Sequence, residues 1–216
     1  MKLTTRTRRA FARAVATDNV VLVQGLGLCP IIAAGTTLQR AVALTVCTAA
    51  VLLPSSLLMS AIGKRLPAVF RAPLYTLLAM AMMVGCAFLM TAYVSPELYA
   101  SLYVFLPLMA VNTLFTYHAG GVSVGQHPLV AIADAVGTAF GFGLVICVVS
   151  ALREIAINGT VWGASLDLQV RFPEAAYPFS AIILLGFMAA LLRQIKQKYM
   201  RTLETEEAVL RERIVE

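Results

Sequence analysis

Charged side chains are spaced so widely along this chain that the stretches between them decide what it can fold into. Six runs contain no Lys, Arg, Asp or Glu: Asp18 to Arg40, Arg40 to Lys64, Arg71 to Glu97, Glu97 to Asp134, Asp134 to Arg153, and Glu174 to Arg193. A helix needs roughly 20 apolar residues to cross about 30 Å of hydrocarbon, so each run can supply one crossing. The fourth run is longer than one crossing requires, and Gly120, Gly121, Gly125 and Pro128 mark its far end as loop. Helices are predicted near 19–36, 41–63, 73–94, 99–117, 130–151 and 176–194. With 60% hydrophobic and 13% charged residues, the 216-residue chain is too apolar for a water-soluble core, and the excess must face lipid. The predicted fold is an all-α polytopic membrane protein of six transmembrane helices. A basic tail (1–18) precedes the membrane domain (19–195), and a charged helical tail (196–216) follows it.

Orientation follows from the basic residues, which cytoplasmic flanks retain and short translocated loops shed. Lys2, Arg6, Arg8, Arg9 and Arg13 lie in the first tail, Lys64, Arg65 and Arg71 in the second loop. Arg193, Lys196, Lys198, Arg201, Arg211 and Arg213 lie in the last tail. Six spans put all 14 on one side and leave Arg40, Arg153 and Arg171 on the other, which predicts both termini in the cytoplasm of a bacterial inner membrane. Topology and attraction to anionic lipid account for the net charge of +6, and nothing asks for nucleic acid. Glu204, Glu206 and Glu207 precede Arg211 and Arg213 at helical spacing, so the sixth helix is expected to continue as a solvated stalk.

The basic start and the apolar stretch after it fit a cleavable leader superficially, a reading set aside because that stretch carries features a disposable segment would not need. Cys29, Cys47, Cys86 and Cys147 all fall within predicted spans and show no CxxC spacing, which supports neither a disulfide framework nor zinc. His118 and His127, nine residues apart in one loop, read as interfacial rather than metal ligands. Asn158-Gly159-Thr160 matches a glycosylation acceptor, and a turn after the fifth helix explains it equally well.

Three spans per half suggest two inverted three-helix repeats, the design of many transporters. Span one, VLVQGLGLCPIIAAG, has Gly25, Gly27 and Pro30 near its middle, and span four, LYVFLPLMAVNT, has Pro107. Each is the first span of its half. Proline removes a donor and glycine lets the chain bend, so both are expected to be broken helices. A harmless kink explains either alone; their matched placement favours a site. Polar residues expected at membrane depth are Gln24, Ser55, Ser56, Asn112, Thr113 and Thr116, with Asp134 expected at the edge, capping the fifth helix.

Several segments resemble the membrane subunits of Rnf and sodium-pumping NADH:quinone reductase complexes, on the RnfE and NqrD branch. They are LVQGLGLCP at 22–30, FRAPLY at 70–75, AYVSPELYASLYVFLPLMAVN at 92–112 and ALREIAINGTVWG at 151–163. The resemblance implies six spans, an inverted repeat, and a machine that couples electron transfer to Na+ or H+ movement. It also implies pairing with an oppositely oriented RnfA-like homologue among other Rnf-type subunits, the two together holding a 2Fe–2S cluster. Each of the two would supply one thiolate from a GLCP turn and one from a VNC turn.

Cys29 matches the first ligand, and Asn112 the residue shaping the second turn. The sequence departs from the family at the second ligand, where Thr113 replaces Cys, and TYHAGGVSVG stands where GRAEAF is usual. Two readings follow: an Rnf-type subunit helping to hold the cluster through Cys29, or a divergent paralogue without a cluster acting in transport or as a scaffold, with Cys29 a packed thiol. An intramembrane hydrolase lacks a Ser/His/Asp or HExxH constellation.

Overall fold

Backbone surrounded by hydrocarbon satisfies its N–H and C=O groups only within its own helix, and the chain is accordingly almost all helix. The computed structural model describes residues 3–17, 19–117, 124–165 and 172–215. His118, Gly120, Gly121 and much of TYHAGGVSVG lie outside the described residues, as do Asp18 and Arg171.

Among the described residues four helices are long and apolar enough to cross a membrane: α3 (Leu38–Ile62), α4 (Ala68–Tyr93), α8 (Pro128–Asn158) and the Pro178–Lys198 part of α9 (Pro178–Val215). The fourth predicted span is broken into α5 (Pro96–Leu102), α6 (Phe105–Ala110) and α7 (Thr113–Tyr117), bent by 57° between α5 and the rest. Counted as one, it raises the crossings to five. The first predicted span differs most. Before it, α1 (Leu3–Ala12) runs into a π-helical turn at Arg13–Thr17; within it there are turns and the seven-residue α2 (Leu28–Ala34).

The breaks are not where the prolines stand. Pro30 and Pro107 are each the third residue of a short helix, where the missing N–H would have no intrahelical partner anyway. The chain turns before Pro30, at Gly25 and Gly27, and on either side of Pro107, at Tyr103–Val104 and Val111–Asn112.

Helix α8 is the axis of the bundle, with 61% of its apolar window buried, against 11% for α9. Its most extensive contact is with α3, and α1, the Pro173–Ala176 3₁₀ turn and α9 also pack on it. Lipid tails are as apolar as leucine, so close backbone approach must hold such helices together. Glycines on α8 provide it. A Cβ at Gly143 would overlap Thr45 of α3. One at Gly137 would lie 2.9 Å from the Phe11 carbonyl oxygen, and one at Gly141 3.1 Å from that of Ala14. The spacing of Gly137 and Gly141 makes them neighbours on one helix face, and that face receives the N-terminal helix.

Helix α9 touches the bundle through Ala181 and Leu185 and exposes Ile182, Ile183, Phe187 and Ile195 outward. It continues as helix to Val215. A small hairpin, β1 (Thr160–Val161) with β2 (Ala164–Ser165), follows α8. Gly141→Leu should displace the π-helical turn and cost about 1–3 kcal/mol by overpacking, seen as a lower thermal midpoint of the purified protein, whereas Gly85→Leu, with nothing near its Cβ position, should leave the midpoint unchanged.

Candidate functional site

The first break is built by Asn19, which is 3% exposed. Its Oδ1 accepts from the Val21 and Leu22 N–H groups at 3.0 and 3.1 Å, and its Nδ2 donates to the Val15 and Gly141 carbonyls at 3.1 and 3.4 Å. One amide thus ends the π-helical turn, starts the next turn and ties both to α8. Gly27 then takes φ 76°, a left-handed conformation costly for residues with a Cβ, and becomes the N-cap of α2. Cys29 is the second residue of α2 and is exposed; Gln24 is exposed as well.

The second break is built by Asn112. Its Oδ1 accepts from the Leu114 N–H at 3.3 Å and the Thr113 hydroxyl at 3.2 Å, so it caps α7 as an Asx turn. Thr113 is the exposed first residue of α7, and Thr116 is exposed too. The two breaks meet: a Cβ at Gly27 would lie 3.3 Å from Leu114 Cδ1 and 3.4 Å from Phe142 Cε2. Phe142 stands halfway along the 31-residue α8, so the junction sits near the mid-depth of the bundle.

A two-iron cluster takes four soft ligands, usually thiolates. At this junction the chain offers one thiol, Cys29, and the hydroxyl of Thr113, a hard donor that stays protonated at neutral pH. Cys47 and Cys86 face each other between α3 and α4, and Cys147 lies beside Thr45. No group of three or more His, Cys, Asp or Glu that could hold a metal occurs among the described residues. This donor set fits one ligand position of a shared cluster and fails at the other.

Ser55 and Ser56 are fully buried and face Tyr75 across the α3–α4 contact. Asp134 does not cap the fifth predicted helix. It is the seventh residue of α8, opposite the charge of Arg13, while His127 takes the cap by accepting the Leu129 N–H at 3.4 Å. The turn expected at Asn158-Gly159-Thr160 is present, with Gly159 left-handed at φ 64°.

Sequence reasoning missed a buried charged pair. Arg153 is 1% and Glu154 3% exposed, although they are consecutive near the end of α8. Arg153 Nη1 donates to the Ile32 and Gly35 carbonyls at 3.1 and 2.9 Å, at the C-terminus of α2. Its Nε and Nη2 donate to Ala175 and Ala176 at 3.1 and 2.7 Å, at the turn before α9. Glu154 Oε2 accepts from Leu38 N–H at 2.6 Å, capping α3, whose own N-cap Thr37 makes no side-chain cap bond. Glu154 Oε1 accepts from Thr160 Oγ1 and Gly163 N–H at 3.3 and 3.2 Å, holding the hairpin. The signal lay in ALREIAINGTVWG: an Arg-Glu step at the end of an apolar run, followed by turn residues.

Removing Arg153 leaves buried carbonyls without donors, so Arg153→Met should destabilise by about 3 kcal/mol or more, read as loss of assembled complex, with Arg153→Lys intermediate because its point charge cannot fork. Gly27→Ala should cost about 1–2 kcal/mol from the left-handed backbone alone, measured by the same thermal midpoint.

Residues 7–191 match the protein family described as Rnf-Nqr subunit, membrane protein. Among curated relatives, the E subunit of the ion-translocating oxidoreductase complex of Shewanella sp. (strain ANA-3) is 33% identical over 196 residues, covering 84% of each chain. The corresponding protein of Shewanella sp. (strain W3-18-1) is 32% identical over 215 residues, covering 91% of this chain and 92% of the relative. That of Aliivibrio fischeri is 31% identical over 196 residues, covering 84% and 86%. Because the match runs through both helix breaks and the buried Arg153–Glu154 pair, the chain belongs to the Rnf-Nqr family of membrane subunits.

Proposed function

We propose that this chain is the E-type membrane subunit of an Rnf-type complex in a bacterial inner membrane, where electron transfer is coupled to Na+ or H+ translocation. The observation that carries the reading is the meeting of the two helix breaks at Gly27 and Leu114, with Cys29 and Thr113 exposed beside it. Broken helices converging at mid-depth are how membrane proteins build sites from two repeats. In this reading the turn and α2 form the first of six crossings, α5 to α7 form the fourth, and two inverted three-helix repeats result. Pro30 and Pro107, each third in its half-helix, support that correspondence. Both termini face the cytoplasm, because 14 of 17 basic residues fall on that side and there meet anionic lipid.

An RnfA-like homologue packs over the exposed junction, and Cys29 would give one thiolate to a 2Fe–2S cluster to which that partner adds two, the fourth ligand coming from a group other than Thr113. The cluster supplies one-electron relay when bound. The residues of this chain do the positioning: Asn19 and Gly27 fix the turn before Cys29, Asn112 fixes the turn facing it, and Arg153 anchors the far end of α2. Thr113 favours a second reading, in which this homologue has given up the cluster and its junction serves transport or assembly.

Iron content and low-temperature electron paramagnetic resonance of the complex separate the two. Cys29→Ser should abolish one two-iron signal, and Thr113→Cys, which restores a second thiolate at an exposed helix start, should raise iron retention. Unchanged iron and spectra in both variants would establish the cluster-free reading.

A further inference from the structure

A cleft between α3, α4 and α5 includes neither Gly27 nor Leu114, where the two helix breaks meet, and takes no part in the function proposed above. Its volume is about 990 Å³, at the large end of small-molecule sites. Its lining is mostly apolar, with the buried Cys47 of α3 and Met90 of α4 beside the exposed Val46, Ala50 and Leu89. Its mouth is not: Arg40 comes from the first turn of α3, Glu97 from the first turn of α5, and Trp162 from the hairpin. Lys64, Arg65 and Arg71 belong to the opposite end of α3, a full span away.

Trp162 is held there under strain. It has φ 55°, the one non-glycine residue with positive φ among the described residues. A bulky aromatic keeps that conformation only where its surroundings impose it. Here the buried Glu154 imposes it by gripping Thr160 and Gly163 on either side. Trp162 as a whole is 52% exposed and lines the cleft at the end of the bundle, where an indole suits the head-group layer.

Arg40 and Glu97 share the mouth without forming an ion pair with each other among the described residues. Arg40 donates one N–H to Thr36 Oγ1 at 2.9 Å, out of the five its fork carries. One cationic and one anionic group, set above an apolar channel that opens toward lipid, match the two charges of a zwitterionic head group. The guanidinium suits a phosphate, the carboxylate a primary ammonium, and the channel an acyl chain. A neutral ring would leave both charges uncompensated beside apolar walls, and a purely anionic head group would face Glu97.

We propose that this cleft binds one phospholipid with a primary-ammonium head group, its phosphate on Arg40, its ammonium on Glu97 and an acyl chain between α3 and α4. The purified complex, reconstituted with photoactivatable phospholipids carrying either an ethanolamine or a glycerol head group, tests it. The expected result is labelling of residues 39–50 or 86–101 by the ethanolamine probe about fivefold above the glycerol probe, the discrimination one partly exposed ion pair supplies. Glu97→Gln should remove that preference, Arg40→Gln should weaken both probes, and Ala50→Trp should block the channel. Labelling at Phe187 on the outer face of α9 should stay constant and report bulk lipid and intact folding. Equal labelling by both probes, labelling indifferent to Glu97→Gln, or cross-linking of residues 86–101 to another protein of the complex would each overturn the proposal.

Discussion

Arg153 and Glu154 place two ionisable groups, neighbours in sequence, in the interior of an apolar bundle. A charge there is tolerated only where hydrogen bonds replace its water, and here the replacement is backbone at helix ends. The charges are matched to those ends. A cation meets the carbonyl end of α2 and an anion meets the N–H end of α3, as the helix dipoles favour. The 35–37 connection is therefore fixed at both sides by one dipeptide of α8. A second consequence runs outward, since the same carboxylate grips the hairpin carrying Trp162. The junction at mid-depth and the cleft mouth at the bundle end thus share one anchor.

Around that anchor the helices are held by close approach. Gly137, Gly141 and Gly143 let α1 and α3 reach the α8 backbone, which compensates for the weak apolar drive between helices in lipid. Asn19 adds the polar component, because its amide joins the end of the π-helical turn to the Gly141 carbonyl. The outer helices lack such contacts. Helices α4 and α9 leave broad apolar faces for lipid or for partner subunits, consistent with a chain that completes itself in an assembly.

At the junction of the two breaks a side-chain amide sets the turn and a hydroxyl stands beside it. Asn112 holds its turn through its side-chain oxygen, and the residue beside it is Thr113 rather than a thiol. A hydroxyl in that place keeps the turn geometry and removes the soft donor. The turn depends on the Asn112 side chain and on backbone amides, and neither requires sulfur.

The spacing of charges determined by itself that the chain is a helical membrane protein, since an uncharged apolar run has few other ways to satisfy its backbone. It also located the weak points at Gly25, Gly27 and the 103–113 region, because glycine, proline and asparagine act through local geometry. The same local logic put the second break at Pro107 and gave the α8 cap to Asp134 rather than His127, as both depend on where a helix starts. Only the tertiary structure decided that Leu114 would meet Gly27, that Arg153 and Glu154 would turn inward onto α2 and α3, and that Arg40, Glu97 and Trp162 would share one cleft. These are contacts between residues tens of positions apart, and they follow from how helices pack rather than from anything a residue's neighbours in sequence record.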